Sequence, residues 1–519
     1  MANTSEQGMA TSHPQRWLIL STLCLALLLV LLDNTVLTVA IPSITESLDA
    51  STSAIQWVMN GYTLAVAGLL MTTGSLADRF GRKRALLLGV VLFTICSGVA
   101  AMSDSPTQLI LGRIGMGLGA ALLMPNTLAV LLQVFDEKER PKAIAVWTGV
   151  AGGAVALGPV LGGIMLDYFW WGSVLLINVP IGLAATIAMT VLIPESRNPQ
   201  VRGFDIPGVL LSMVMGVGLV YGVISVPEHG WSSAQVLVPF LIGLVALTAF
   251  AYWERRCAEP MLDLTLFRKP AFSGAVGSAA LTSIALAGSL FLFTQYLQFV
   301  LGYSPLQAGL GVVPMALALL FMTPFSPKIA AKIGIPGTLT TGLTVMGVGL
   351  ITLSFLGNES SYLLSLVGLA VMGAGVGIAL PTSSNAMMGA IPLERAGMAS
   401  GLNSTMQEFG SASGVAVLGS ITAGLFTSHL PDAIPDDATK SVGLALEAGS
   451  HVKNAAQVTE QVKDAFISGF TVSLRFGAAA AIAAGLVAWV LLRKDSTAGT
   501  EAEPTASTQD VAQQNASVS

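Results

Sequence analysis

Charge is what this sequence of 519 residues has least of: 10% is Asp, Glu, Lys or Arg, where a soluble chain carries about a quarter. That shortage excludes an ordinary water-soluble globule of this length. Cysteine is scarce as well. Cys24, Cys96 and Cys257 have no metal-ligand spacing, so they read as free thiols and leave no disulfide framework. The four histidines, His13, His229, His429 and His451, fall in expected termini or loops. An intramembrane enzyme would need an H-E-x-x-H pair or a Ser/His arrangement at membrane depth, and neither is present. A Walker A lysine motif is also missing, which removes a built-in ATPase and leaves the proton motive force as energy source, with no cofactor expected. The first apolar stretch lacks the short core and small-residue cleavage site of a signal peptide, so it reads as a retained anchor.

What is present is apolar sequence, 53% of the chain with 55 glycines, in blocks of about 20 residues or more, enough to cross ~30 Å of hydrocarbon. Fourteen spans are expected. The first six fall within 17–193, two more within 206–252, and six within 272–492, interrupted by a long loop at 425–467. Residues 1–16 and 493–519 remain as termini; the latter is Ser/Thr/Ala/Gln-rich without apolar periodicity and is expected to be disordered. The even count puts both termini on one side. On the other side, the short loops around 41–53, 103–106, 165–171, 225–234, 301–305 and 357–361 contain no Lys or Arg. The positive-inside rule therefore places both termini in the cytoplasm. Within 425–467, Val452, Ala455, Thr459, Val462 and Phe466 recur at helical spacing, as in an amphipathic helix. An external hairpin over the exit and a passive surface helix both fit.

The charged loops repeat weakly. "GSLADRFGRKRAL" (74–86) and "PKIAAKIGIPGTL" (327–339) align Ala77 with Ala330, Arg79 with Lys332 and Gly81 with Gly334, as two homologous six-span halves would. The first of these segments resembles, position for position, the loop signature of the major facilitator superfamily. "LLDNTVLTVAIPSI" (31–44) is similar to the first-span motif of its fourteen-span drug:proton antiporter branch. "GVAGGAVALGPVLGG" (149–163) resembles the fifth-span antiporter motif, and "INVPIG" (177–182) recurs in span six. The resemblance implies an all-α polytopic protein with the major facilitator fold: two six-helix bundles, two extra central helices, and a monomer. It implies a multi-pass protein of the bacterial inner membrane that exports hydrophobic, mainly cationic drugs, antiseptics and dyes, quaternary ammonium compounds and ethidium among them, in exchange for protons. Its partners would then be lipophilic cations, protons and the bilayer, with no nucleic acid. A dedicated exporter of an endogenous metabolite such as an antibiotic is the alternative.

The resemblance also assigns conformational roles to Gly74, Asp78, Arg79, Gly81 and Arg82, the turn that latches against a neighbouring span, and to Gly158 and Pro159, which mark exporters. A cytoplasmic positive anchor would explain the cations equally. Physically, Gly74 and Gly81 permit a tight turn, Pro159 should bend its helix, and the span-five glycines let another helix approach closely.

Two acids and an arginine lie deep in the apolar spans, where charge is costly and is usually functional. At 1.5 Å per residue Asp33 sits about 24 Å up span one and Arg113 about 27 Å up span four, so the two can pair. A static ion pair would account for them as well as a proton relay. The fourth-span motif of the family has glutamine where this chain has Met116. Glu408 lies about 18 Å into span thirteen, with Ser404, Thr405 and Ser411 on its side of the helix. A desolvated carboxyl of this kind can exchange protons near neutral pH; a hydrogen-bonded structural carboxyl is the other reading. Asp33, Arg113 and Glu408 are the expected proton-coupling residues, and no metal site is expected. For substrate contact the candidates are Trp57 and Tyr62, as cation–π partners, Gln295 and Gln298, whose amides are costly against lipid, Ser404, and Asn60, which fills a slot where related cation exporters carry an acid.

Overall fold

The computed structural model describes residues 14–136, 138–196, 205–257, 260, 262, 264–358, 362–389, 396–452 and 454–498. Among them there are helices and no strands. A first group comprises α1 (Arg16–Leu48), α2 (Thr52–Phe80), α3 (Arg82–Ala101), α4 (Pro106–Val134), α5 (Arg140–Tyr168), the single turn α6 (Ser173–Leu176) and α7 (Asn178–Leu192). Two further helices follow, α8 (Ile206–His229) and α9 (Ala234–Glu254). The last group is α10 (Pro270–Gln295), α11 (Pro305–Gly311), α12 (Val313–Met322), α13 (Ser326–Leu353), α14 (Tyr362–Gly389), α15 (Ala396–His429), α16 (Val442–Ser450) and α17 (Ala455–Ala498). Eleven helices among the described residues are long and apolar enough to cross a membrane. That tally treats 305–353 as one stretch, although Gly334, at φ 73° and ψ 166°, breaks the helix there. It also leaves out α2 and α5, each of 29 residues.

Helix starts follow from local chemistry. Ser51 caps α2 by accepting from the Ala54 amide at 3.2 Å. Ser304 and Gln307 form a reciprocal capping box ahead of Pro305, which satisfies backbone donors that a helix start leaves bare. Within each group the helices pack through small residues. A Cβ at Gly349 of α13 would stand 2.4 Å from the Met372 amide of α14, and one at Gly375 would stand 2.3 Å from that of Met346. These two backbones touch because neither carries a side chain at the crossing.

Arg82 beside the Gly81 turn reaches Gln133 at the end of α4 at 3.4 Å, and the alternation of the helices brings the turns at Asp136 and Gly334 to the same end, with Arg79, Lys83, Arg84, Lys138 and Lys332; this end is the basic face. Toward the opposite end the two groups meet. A Cβ at Gly163 of α5 would lie 2.4 Å from Leu306 Cα, and one at Gly309 of α11 would lie 2.1 Å from the Pro159 carbonyl. Gln298 Nε2 donates across the gap to the Val39 carbonyl at 2.9 Å, and Thr52 Oγ1 to that of Lys440 at 3.0 Å. Helix α8 packs on both groups, with Met213 against Gly68 of α2 and Phe409 of α15 against its Gly216.

Three expectations are revised. The loop expected over 425–467 is mostly helix: α15 runs on to His429 and α17 begins at Ala455. The amphipathic stretch there is the first part of α17 itself, continuous with the last apolar segment, because Val458, Val462, Ala465 and Phe466 are buried. The expected disordered tail from 493 starts as helix, since α17 runs to Ala498; residues 499–519 lie outside the described residues. Apolar-window reasoning ends a span where polar residues begin, but a helix continues wherever one of its faces still packs.

Candidate functional site

Asp33 and Arg113 come together, as their matched depths require. Both are buried, at 1% and 0% exposure, and the Arg113 guanidinium forms an ion pair with Asp33 Oδ2 between α4 and α1. Arg113 Nε also donates to the Val58 carbonyl at 3.3 Å, and its guanidinium carbon lies 4.4 Å from the centroid of the Tyr62 ring. The second carboxylate oxygen of Asp33 accepts from Asn178 Nδ2 at 2.8 Å. The same amide reaches Ser97 Oγ at 3.1 Å, and Ser97 donates to the Leu175 carbonyl at 2.8 Å. One polar chain thus links α1, α3, α4 and the start of α7. Arg113 Nη2 and Asn178 Oδ1 are buried with no hydrogen-bond partner among the described residues, so the chain has spare capacity on both sides of the ion pair.

Asn178 and Ser97 were absent from the residues expected on sequence grounds. The signal for Asn178 was available: it is an amide inside the apolar run "LLINVPIG", costly unless it serves a neighbour.

Glu408 stands apart from this chain. It is half-buried on α15, and its Oε2 is shielded from solvent without a hydrogen-bond partner among the described residues. One turn earlier Thr405 Oγ1 is in the same condition. Tyr62 lies against Arg113 on α2, the helix that packs on α15. Two residues before Tyr62, and so on another side of α2, Asn60 is fully buried with both amide atoms unpaired among the described residues. The helices that pack at this junction, α1, α2, α4 and α15, carry between them an ion pair, an aromatic face, an open carboxylate and an open amide. Such a set can recognise a cation and can exchange protons.

The remaining candidates spread out. Trp57 turns toward α8, with its ring centroid 5.7 Å from that of Tyr221. Gln295 donates to its own helix at the Phe291 carbonyl, 3.1 Å. Gln298 holds the two groups together, as described. Ser404 is half-buried on α15. Phe291 and Tyr296 are core residues at 1% and 0% exposure; Tyr296 stacks on Phe470 at 5.1 Å.

The conformational motifs are placed as follows. Gly81, at φ 115°, makes the turn between α2 and α3, and a Cβ there would lie 2.5 Å from Glu195 Oε1. The Arg82 amide donates to the Ser196 carbonyl at 3.1 Å, while its guanidinium reaches the Ala129 carbonyl near the end of α4 at 3.3 Å. Arg84 lies 3.6 Å from Glu195. Arg79 is exposed beside Phe80. Gly74 and Asp78 belong to α2, and the side chain at 78 lies outside the described residues. Gly158 fits against Thr35 of α1, whose Oγ1 would be 1.9 Å from a Cβ at 158. Pro159 lies within α5, which runs unbroken as helix, and presents its carbonyl to Gly309.

A family model described as Major Facilitator Superfamily matches residues 23–415. The chain belongs to that superfamily. This superfamily member is 35% identical to the multidrug resistance protein Stp of Mycobacterium tuberculosis, over 94% of its own length and 95% of that protein's. It is 33% identical to the multidrug efflux pump LfrA of Mycolicibacterium smegmatis, with 93% and 98% covered. To the tetracenomycin C resistance and export protein of Streptomyces glaucescens it is 31% identical, with 94% and 93% covered. Among solved structures, a bacterial homolog of the human lysosomal transporter Spinster, inward-facing and unoccupied, superimposes with TM-score 0.67 at 16% identity, covering 93% of this chain and 99% of that one. The facilitator chain is thus a multi-pass membrane protein and a transporter rather than an enzyme.

Proposed function

We propose that this facilitator is a proton-coupled antiporter that exports hydrophobic, mainly cationic compounds from the bacterial cytoplasm by alternating access. The observation that carries the reading is the division of labour among its buried charges. Asp33 is already engaged by Arg113 and Asn178, whereas Glu408 keeps an oxygen without a partner. A carboxylate free to bind either a proton or a cation, but not both, couples the two flows by competition. Asp33 acts with Arg113 to hold the arrangement, and Glu408 is the coupling carboxyl.

Fourteen crossings follow if α2 and α5 span alongside the eleven helices and if the break at Gly334 divides 305–353 into two. The basic face is then cytoplasmic by the positive-inside rule, and the groups meet on the outer side, the arrangement that admits cargo from within. The names of Stp and LfrA support a multidrug cargo; that of the tetracenomycin C exporter supports the second reading, a protein dedicated to one metabolite.

Ethidium efflux driven by a pH gradient, in cells or inverted vesicles, tests the proposal. The wild type is expected to move ethidium. Glu408→Gln is expected to lose gradient-driven movement while retaining cation exchange, and Asp33→Asn to be impaired. A wild type that ignores ethidium and similar cations would overturn the cation reading in favour of the dedicated exporter.

A further inference from the structure

A cavity of about 590 Å³ opens at the end opposite the basic face, away from the Asp33–Arg113 pair. The turn between α1 and α2, the ends of α8 and α15, and residues 436–440 converge on it. Its rim carries Asp49, Glu228 and Asp436 against one cation, Lys440, and all four are exposed. Deeper, Ile224 and Phe426 supply apolar surface, each 2% exposed. Gln56 lines the same cavity at 1% exposure, and its Oε1 has no hydrogen-bond partner among the described residues. Ser53 fixes Glu228 in the rim by donating to Oε1 at 2.8 Å.

We propose that this vestibule is a second binding site, for an organic cation that carries N–H donors, a protonated amine or an amidinium. The rim supplies an excess of negative charge, which concentrates cations in a low-dielectric mouth. The apolar floor takes a hydrocarbon or aromatic body, and the volume falls within the range of small-molecule pockets. Gln56 sets the finer specificity. A buried acceptor left unmade is costly, and a ligand N–H relieves that cost where a quaternary ammonium cannot. The site lies about one turn from Asn60 along α2, so a cation held here sits on the element that borders the central junction.

The test is calorimetric titration of the full-length protein in nanodiscs with two cations of similar size: benzamidine, which has N–H donors, and phenyltrimethylammonium, which has none. Benzamidine is expected to bind the wild type and Glu408→Gln alike. Gln56→Leu is expected to weaken benzamidine about tenfold while leaving phenyltrimethylammonium within about twofold. Glu228→Gln with Asp436→Asn, both at exposed positions that folding tolerates, is expected to weaken both cations about fivefold. Absence of benzamidine binding, its loss in Glu408→Gln alone, or its indifference to both vestibule variants overturns the site. The site does not depend on the direction of transport. A chain that fails to export ethidium but binds benzamidine in this pattern keeps the vestibule and loses the cation-export reading; one that exports ethidium with no vestibule effect does the reverse.

Discussion

Removing one partner of the Asp33–Arg113 pair and removing both are expected to have opposite consequences. In Asp33→Leu the guanidinium keeps only the Val58 carbonyl and the Tyr62 face. In Arg113→Leu the carboxylate keeps only the Asn178 amide. Each single change strands a charge at essentially zero exposure, a situation that costs about 3–5 kcal/mol, whereas exchanging both members for apolar residues is often neutral. Thermal unfolding of purified protein, followed by tryptophan fluorescence, should therefore show large downward shifts for both single variants and a midpoint near wild type for Asp33→Leu/Arg113→Leu. Transport separates a structural pair from a working one. A double variant that is stable but inert in ethidium efflux means the charges serve the cycle; one that is stable and active means they were only a lock. Single variants as stable as the double would refute the premise that the pair is desolvated and mutually dependent.

Other expectations follow from single contacts. Gly158→Ala should abolish transport, since its Cβ would meet Thr35 Oγ1 at 1.9 Å and Thr35 Cβ at 2.7 Å, and adding Thr35→Gly, which removes both atoms, should restore part of it, as read by efflux rate. Gly81→Ala should lower the unfolding midpoint through a strain of about 1–3 kcal/mol, because alanine disfavours φ 115° and crowds Glu195. Gln298→Leu removes the hydrogen bond to Val39, worth about 1 kcal/mol; accessibility of cysteines placed on the face opposite the basic one should rise about fivefold. Asn60→Leu should raise thermal stability by relieving two unpaired amide atoms, and a fall in transport alongside would assign the amide to the cargo.

How much could be read beforehand depended on whether a residue's partner lies along the chain or across it. Asp33 and Arg113 were legible as a pair because depth along a helix is a count of residues, and equal depths in adjacent spans bring side chains together. Glu408 was legible as an isolated acid for the same reason. Trp57 was not: which way a side chain points depends on helix rotation, and the neighbour that claims it, Tyr221, sits on an inserted helix more than 160 residues away. Gln298 reads as a substrate contact because an amide is costly against lipid; the partner it has is a backbone carbonyl of the other half, which hydropathy cannot locate. Asn178 was treated as part of a motif and its chemistry was passed over. The extent of α17 escaped because its first turns are polar on one side, and their burial comes from packing that only the assembled bundle provides.

Helix α17 has a mechanical consequence. Its 44 residues make a rod about 66 Å long, roughly twice the ~30 Å hydrocarbon thickness. The segment that would otherwise be a hinged flap over the mouth is welded to the shaft of the final span. When the second half of the molecule tilts, the cap must tilt with it: a rotation of about 10° sweeps a point ~20 Å beyond the pivot through ~3–4 Å. Lys440, whose carbonyl accepts from Thr52, lies ahead of α16 and outside this rod, so that contact is not carried on the lever itself. Residues 455–467, the part of the covering segment inside α17, have no clock of their own, and a binder that clamps them would act as a brake on the whole machine.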